Sequence, residues 1–264
     1  MRCWWLVPCV TLAVACQPTG RLDRTASPVK WEVLRGDGFA VTDGRHRFRL
    51  PDAPDFLPRE EPWRIVSTPD TDGDGRPEAV VEGFTGGAHC CFVYLVFESR
   101  PGAVHQLDRF DLGNGRLERA EDLDRDGRSE LLAGDDRLAY FDDLPFAYSP
   151  MLPLVLCRSR EGRFEDCTER FPRLLSSELE RATRSLEDKV RRLRTQAADR
   201  EVTELVARSE ALTVFVLTDR LGKPEDGRAR VRRLCPACLH WLDRHSEELS
   251  QVLRSPRPRP WSGN

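Results

Sequence analysis

The chain has 264 residues, 41 of them basic and 44 acidic, for a formal net charge of −3. That balance leaves no broadly basic surface and excludes nucleic acid as an expected partner. The length suits one large or two modest domains, and the basic residues are almost all arginine, with Lys30, Lys189 and Lys223 as the only lysines.

Residues 1–15 carry one charge, Arg2, ahead of an apolar run from Cys3 to Ala15. The run is short for a membrane-crossing helix and has the charged start, apolar middle and small-residue end of a secretory signal. Its end, Leu12-Ala13-Val14-Ala15-Cys16, resembles the lipobox of bacterial lipoproteins, although Ala13 stands where Leu is usual. The resemblance implies cleavage before Cys16 and lipidation of that cysteine. Such acylation would anchor the chain at a membrane surface. Gln17 follows the cysteine, where an Asp would resemble an inner-membrane retention signal, so outer-membrane attachment is the expectation. Residues 16–28 then read as a polar, Pro- and Gly-containing tether.

A β-domain is expected over residues 29–172. Its first hairpin runs Gly38–Thr42, a two-residue Asp43-Gly44 turn, then Arg45–Leu50. Trp63–Ser67 is the next strand-like run. It leads into Asp70-Thr-Asp72-Gly-Asp74-Gly-Arg76-Pro-Glu78, where four carboxylates lie within nine residues. The same spacing returns 52 residues later as Asp122-Leu-Asp124-Arg-Asp126-Gly-Arg128-Ser-Glu130. Acids at positions 1, 3, 5 and 9 with Gly at 6 suit a hard cation that takes six to eight oxygens. Arg76 and Arg128, at position 7, would add backbone carbonyls. Position 12 is Val81 or Ala133 rather than Glu, and the flanks read as strands, which excludes an EF-hand. The plain alternative is a pair of Asp/Gly-rich β-turns with solvated acids.

These loops resemble the calcium loops of FG-GAP or VCBS-type repeats, found in propellers and bacterial surface proteins. The resemblance implies two structural calcium ions. Asp70, Asp72, Asp74 and Glu78 would hold one, and Asp122, Asp124, Asp126 and Glu130 the other. It also implies blade-like antiparallel units. Residues 29–172 have room for about three blades, fewer than a closed ring needs, so an open or layered arrangement is expected.

Between the loops lies Gly86-Gly-Ala-His89-Cys90-Cys91, followed by the apolar strand of residues 92–97. This segment, with Asp135-Asp-Arg-Leu-Ala-Tyr-Phe and Phe146-Ala-Tyr-Ser-Pro, resembles a group of exported bacterial proteins, a likeness that brings no activity with it. Six cysteines remain after Cys16, an even number consistent with disulfides in an exported chain. Cys157 and Cys167 flank a hairpin-like segment and form the expected bridge. Cys235 and Cys238 lie close enough in sequence to bridge each other. Cys90 and Cys91 allow either a vicinal bridge or distant partners. Two alternative chemistries share these residues: a zinc or thiol site on His89, Cys90 and Cys91 with help from Cys235, Cys238 and His240, and a hydrolase using Asp135, Asp136, Asp142 or Asp143 beside Tyr140 and Phe141.

From residue 173 to 254 the pattern turns helical. Leu179, Ala182, Leu186, Val190, Leu193 and Ala197 recur at steps of three and four, and Ser177 and Glu180 have capping-box spacing. A second run spans Val202–Leu221 before Gly222, and a third spans 226–253 with a kink near Pro236. Residues 255–264, rich in Pro and Arg, are expected to be disordered. The sum is an α+β chain: an antiparallel β-domain of blade-like units, then a small helical bundle. It reads as a non-enzymatic binding or structural module of the bacterial envelope, with an envelope protein or glycan as its partner.

Overall fold

The run Phe92-Val-Tyr-Leu-Val-Phe97 is apolar on both sides of a strand and therefore needs cover on both faces. That requirement organises the β-domain. The structure is a computed structural model that describes residues 29–36, 38–50, 63–85, 91–195 and 200–260 and, for Asp143, the backbone alone. The signal, Cys16, the tether, His89 and Cys90 lie outside the described residues.

Strands β1 (Glu32–Gly36), β2 (Gly38–Thr42) and β3 (Arg47–Arg49) form an antiparallel three-stranded sheet. Strands β4 (Trp63–Ser67), β5 (Ala79–Phe84), β6 (Phe92–Arg100) and β7 (Ala103–Gly113) follow as an antiparallel meander, and β8 (Leu117–Glu121), β9 (Glu130–Asp135), β10 (Leu152–Arg158) and β11 (Phe164–Asp166) as another. The middle sheet alternates. Val80, Tyr94, Val96, Phe110 and Leu112 pack with Leu131, Leu154, Leu156 and Phe164 of the β8–β11 sheet. The intervening Ala79, Val81, Val93, Leu95 and Phe97 pack with Val41, Leu50 and Trp63 on the other side. Each such large apolar side chain removed from water contributes about 1.5–3 kcal/mol.

Five helices complete the described chain: α1 (Pro172–Thr195), α2 (Arg200–Arg220), α3 (Pro224–Leu234), α4 (Pro236–Arg244) and α5 (Ser246–Leu253). Helix α1 buries the stripe Leu175, Leu179, Ala182 and Leu186. Helix α2 is buried more fully through Ala207, Ala211, Leu212, Val214, Val216 and Leu217. It ends before Gly222, whose φ of +71° suits a residue without a side chain. Leu138, Phe141, Leu144 and Leu152 share this core, so the bundle docks on the connection between β9 and β10.

Four local expectations are corrected. Ser177 lies inside α1 and caps nothing: the helix begins at Pro172, whose fixed φ suits the first turn, and Leu175 N–H bonds back to Phe171 at 3.2 Å. The first hairpin turns through four residues, since Thr42 pairs with Arg47. Asp43 Oδ1 accepts the N–H groups of Arg45 at 2.8 Å and His46 at 2.7 Å, a local side-chain turn that outcompetes the two-residue one. The third helical run breaks into α3, α4 and α5 at Cys235 and His245. Finally, residues 255–260 of the tail are structured, and 261–264 lie outside the described residues. Strand β12 (Arg259–Pro260) pairs antiparallel with Asp111 and Phe110 of β7 and covers the sheet edge.

Candidate metal centre

Both acidic loops occupy the same place, between the first and second strands of a four-stranded meander, β4–β5 and β8–β9. Their internal hydrogen bonds agree role for role. The first acid takes the N–H of the position-6 glycine: Gly75 to Asp70 Oδ2 at 2.8 Å, Gly127 to Asp122 Oδ2 at 3.0 Å. The third acid takes the N–H of position 7: Arg76 to Asp74 at 2.7 Å, Arg128 to Asp126 at 2.9 Å. The closing Glu takes the N–H of position 2: Thr71 to Glu78 at 2.7 Å, Leu123 to Glu130 at 2.9 Å. Position 4 has a positive φ in both loops, +76° at Gly73 and +64° at Arg125, although only one of them is glycine.

The loops also touch. Ser129 N–H bonds to the Asp70 carbonyl at 2.7 Å, and a Cβ added to Gly73 would stand 3.3 Å from the Gly127 carbonyl. In the first loop, one oxygen each from Asp70, Asp72 and Asp74 lie within 4.8 Å of one another; in the second, the set is Asp122, Asp124 and Glu130. Glu78, absent from the first set, has more partners than Glu130. Its Oε2 also takes the Thr71 hydroxyl at 2.6 Å, and its Oε1 lies 3.3 Å from Arg158. Position 2 of the second loop is Leu123, which has no such hydroxyl.

Burial pushes Glu78 up to about 7, with the neighbouring Asp72 charge adding to it. Asp74 and Glu130 are likewise raised, first by burial and then by the other carboxylates of their loops. These acids are thus held against desolvation and one another's charge, a cost that a bound cation would remove. Donors of this kind, all oxygen and mostly carboxylate, suit Ca²⁺ or Mg²⁺ rather than a soft metal.

Sequence reasoning missed the cations beside the loops. Arg158 of β10 reaches Asp72 at 2.9 Å and Glu98 at 3.1 Å, and Arg170 reaches Asp124 at 3.2 Å. Arg158 is 86 residues from Asp72 in sequence, and no local pattern signals their meeting.

Of the other candidate acids, Asp135, Asp136 and Asp142 each hold partners within the fold, and the Asp143 side chain lies outside the described residues. Asp135 is fully buried, with Arg220 at 2.8 Å and Arg137 at 2.5 Å. Asp136 holds Arg257 at 2.7 Å and the Asn114 side chain at 3.0 Å. Asp142 accepts the Trp241 indole N–H and lies 3.4 Å from His245. Neither Asp135 nor Asp136 has a carboxylate free for proton transfer. The bridges Cys157–Cys167 and Cys235–Cys238 are both present, which removes the latter pair as zinc ligands. Cys91 is disulfide-bonded too, so it offers no thiolate.

No known family pattern matches the chain, and no solved structure does. Over 81 residues the chain is 36% identical to a Synechocystis sp. protein named "Probable thylakoid lumen protein". The match spans 30% of this chain and about a quarter (24%) of the Synechocystis protein. Among the described residues, no helix is long and apolar enough to cross a membrane.

Proposed function

We propose that the chain is a calcium-stabilised, non-enzymatic binding or structural module of an exported compartment, built from blade-like units of the FG-GAP or VCBS type. The observation that carries this reading is the role-for-role agreement of the two acidic loops, each at the first turn of its own meander. Two calcium ions would neutralise Asp70, Asp72, Asp74 and Glu78, and Asp122, Asp124, Asp126 and Glu130, with backbone help from Arg76 and Arg128. Their role is to fix the turn that sets strand register. Extracellular calcium suffices for sites with dissociation constants of about 10⁻⁴–10⁻³ M.

Export is supported by the apolar N-terminal run, the disulfides and the lumenal name of the similar Synechocystis protein. On this reading Cys16 carries the lipid that anchors the protein to the outer membrane, and its partner is an envelope protein or glycan. The deciding experiment is calcium titration of the mature chain, without lipid, by calorimetry, paired with thermal melts in calcium and in chelator. About two ions and a higher Tm in calcium are expected. No heat and no shift at millimolar calcium would reduce both loops to plain acidic turns.

A further inference from the structure

Beside the first acidic loop lies a cavity of about 390 Å³ where three sequence-distant turns meet. They are Asp43–His46 between β2 and β3, Gly75–Pro77 at the end of the loop, and Ser99–Gly102 between β6 and β7. The volume is that of a small-molecule site.

Among the described residues, its one lining carboxylate is consumed by the protein itself. Asp43 is 8% exposed. Its Oδ1 accepts two backbone N–H groups; its Oδ2 accepts the Ser99 hydroxyl at 2.6 Å and lies 3.2 Å from His46 Nδ1. Serine, histidine and aspartate meet here, yet Ser99 donates to Asp43 and not to His46. The group is therefore a clamp that joins two turns, and no nucleophile is activated.

What remains for a ligand is cationic. Arg45, Arg76 and Arg100 line the cavity. Arg100 pairs with Glu98, whereas Arg45 and Arg76 are exposed and make no ion pair among the described residues. A guanidinium presents a planar fork that fits carboxylate and phosphate oxygens two at a time.

We propose that this cavity binds a small organic oxyanion of sugar size, carrying a carboxylate or a phosphate, through Arg45 and Arg76. Arg76 belongs both to the acidic loop and to the cavity wall, but the proposal stands whether or not the loop takes calcium.

The test is calorimetric titration of the full chain with glucose 6-phosphate and glucuronate, with glucose as the neutral control, in calcium and again in chelator. At least one anion is expected to bind and glucose is not. Amide shifts in the native chain should fall on residues 43–46, 75–77 and 99–102. The double variant Arg45→Gln/Arg76→Gln should weaken binding at least about tenfold, as expected for losing charge-assisted hydrogen bonds. Both side chains are exposed, so in chelator the variant should melt as the native chain does. Anion binding in chelator that this variant loses supports the cavity independently of the metal reading. Failure of both anions to bind by about 10 mM, a very weak limit, or equal binding by the double variant, would overturn it.

Discussion

Ser129 donates its backbone N–H to the carbonyl of Asp70 at 2.7 Å, tying the first acid of one loop to the residue before the closing acid of the other. An ion bound in either loop would therefore also bear on the backbone of its neighbour. Asp70→Asn and Asp122→Asn should each remove about one calcium ion from the calorimetric count. Each should also weaken the surviving site at least about twofold, the low end of coupling between groups in contact. An unchanged affinity at the surviving loop would show the two to be independent.

Arg158 stands among Asp72, Glu78 and Glu98 with only 11% of its side chain exposed. Its guanidinium partly neutralises these three carboxylates. Replacing Arg158 with leucine leaves Glu78 with only its Thr71 hydrogen bonds and Glu98 with Arg100 alone, a loss of up to about 3–5 kcal/mol for a broken buried pair. Calcium at the first loop would offset the Asp72 and Glu78 share of that loss and leave the Glu98 share. Urea unfolding of Arg158→Leu should therefore show a larger deficit in chelator than in calcium. An equal deficit in both would mean that the ion and the guanidinium do not act on the same charges.

The parts of this molecule readable in sequence are those governed by neighbours along the chain. The spacing of Asp70 to Glu78 and of Asp122 to Glu130, the apolar strand at 92–97 and the three-and-four stripe of Leu179, Ala182 and Leu186 are all local patterns, and each is where its pattern placed it. The Cys157–Cys167 bridge was legible for the same reason: ten residues separate its ends across one hairpin. Illegible were the partners set by topology. Arg158 reaches Glu78 across 80 residues and Ser99 reaches Asp43 across 56. The Asp43 turn misled because a side-chain oxygen competes for backbone N–H groups, which a turn rule built on dipeptides does not count. The tail misled because its Pro and Arg content says nothing of the two buried aspartates that wait for Arg257.

Asp135 offers a pH signature. Burial alone would raise its carboxyl, but the hydrogen bond and charge of Arg137, with the charge of Arg220, prevail and hold it below the ordinary range. Its folded value thus lies below its unfolded one. The stability it contributes is present above about 3.9, the ordinary aspartate value, and is lost as pH falls through the depressed folded value. Asp135→Asn should be less stable than the native chain at pH 7, by about 3–5 kcal/mol for a buried pair broken on one side. On acidification its urea-unfolding curve should approach the native one. Parallel curves down to the acid limit would mean that Asp135 is not charged in the folded state.

The C-terminal segment gives the sharpest contrast between sequence and structure. Arg257, 6% exposed, holds Asp136 at 2.7 Å and lies 3.4 Å from Asp135; Arg259 holds Asp111 at 2.9 Å, and β12 covers the edge of β7. Gly113 makes room for this clamp, since a Cβ there would collide with both Arg259 and Asp136. A chain ending at Ser255 loses every one of these contacts and leaves Asp136, only 5% exposed, short of its cation. The truncated chain should lose about 3–5 kcal/mol and become open to proteolysis along β7, whose edge is then bare. A solvated, unattached tail would instead shift stability by no more than about 0.5 kcal/mol. Urea unfolding of the two chains side by side separates these outcomes. A loss within that smaller range would return the segment to the disorder its composition suggests and would leave Asp135 dependent on Arg137 and Arg220 alone.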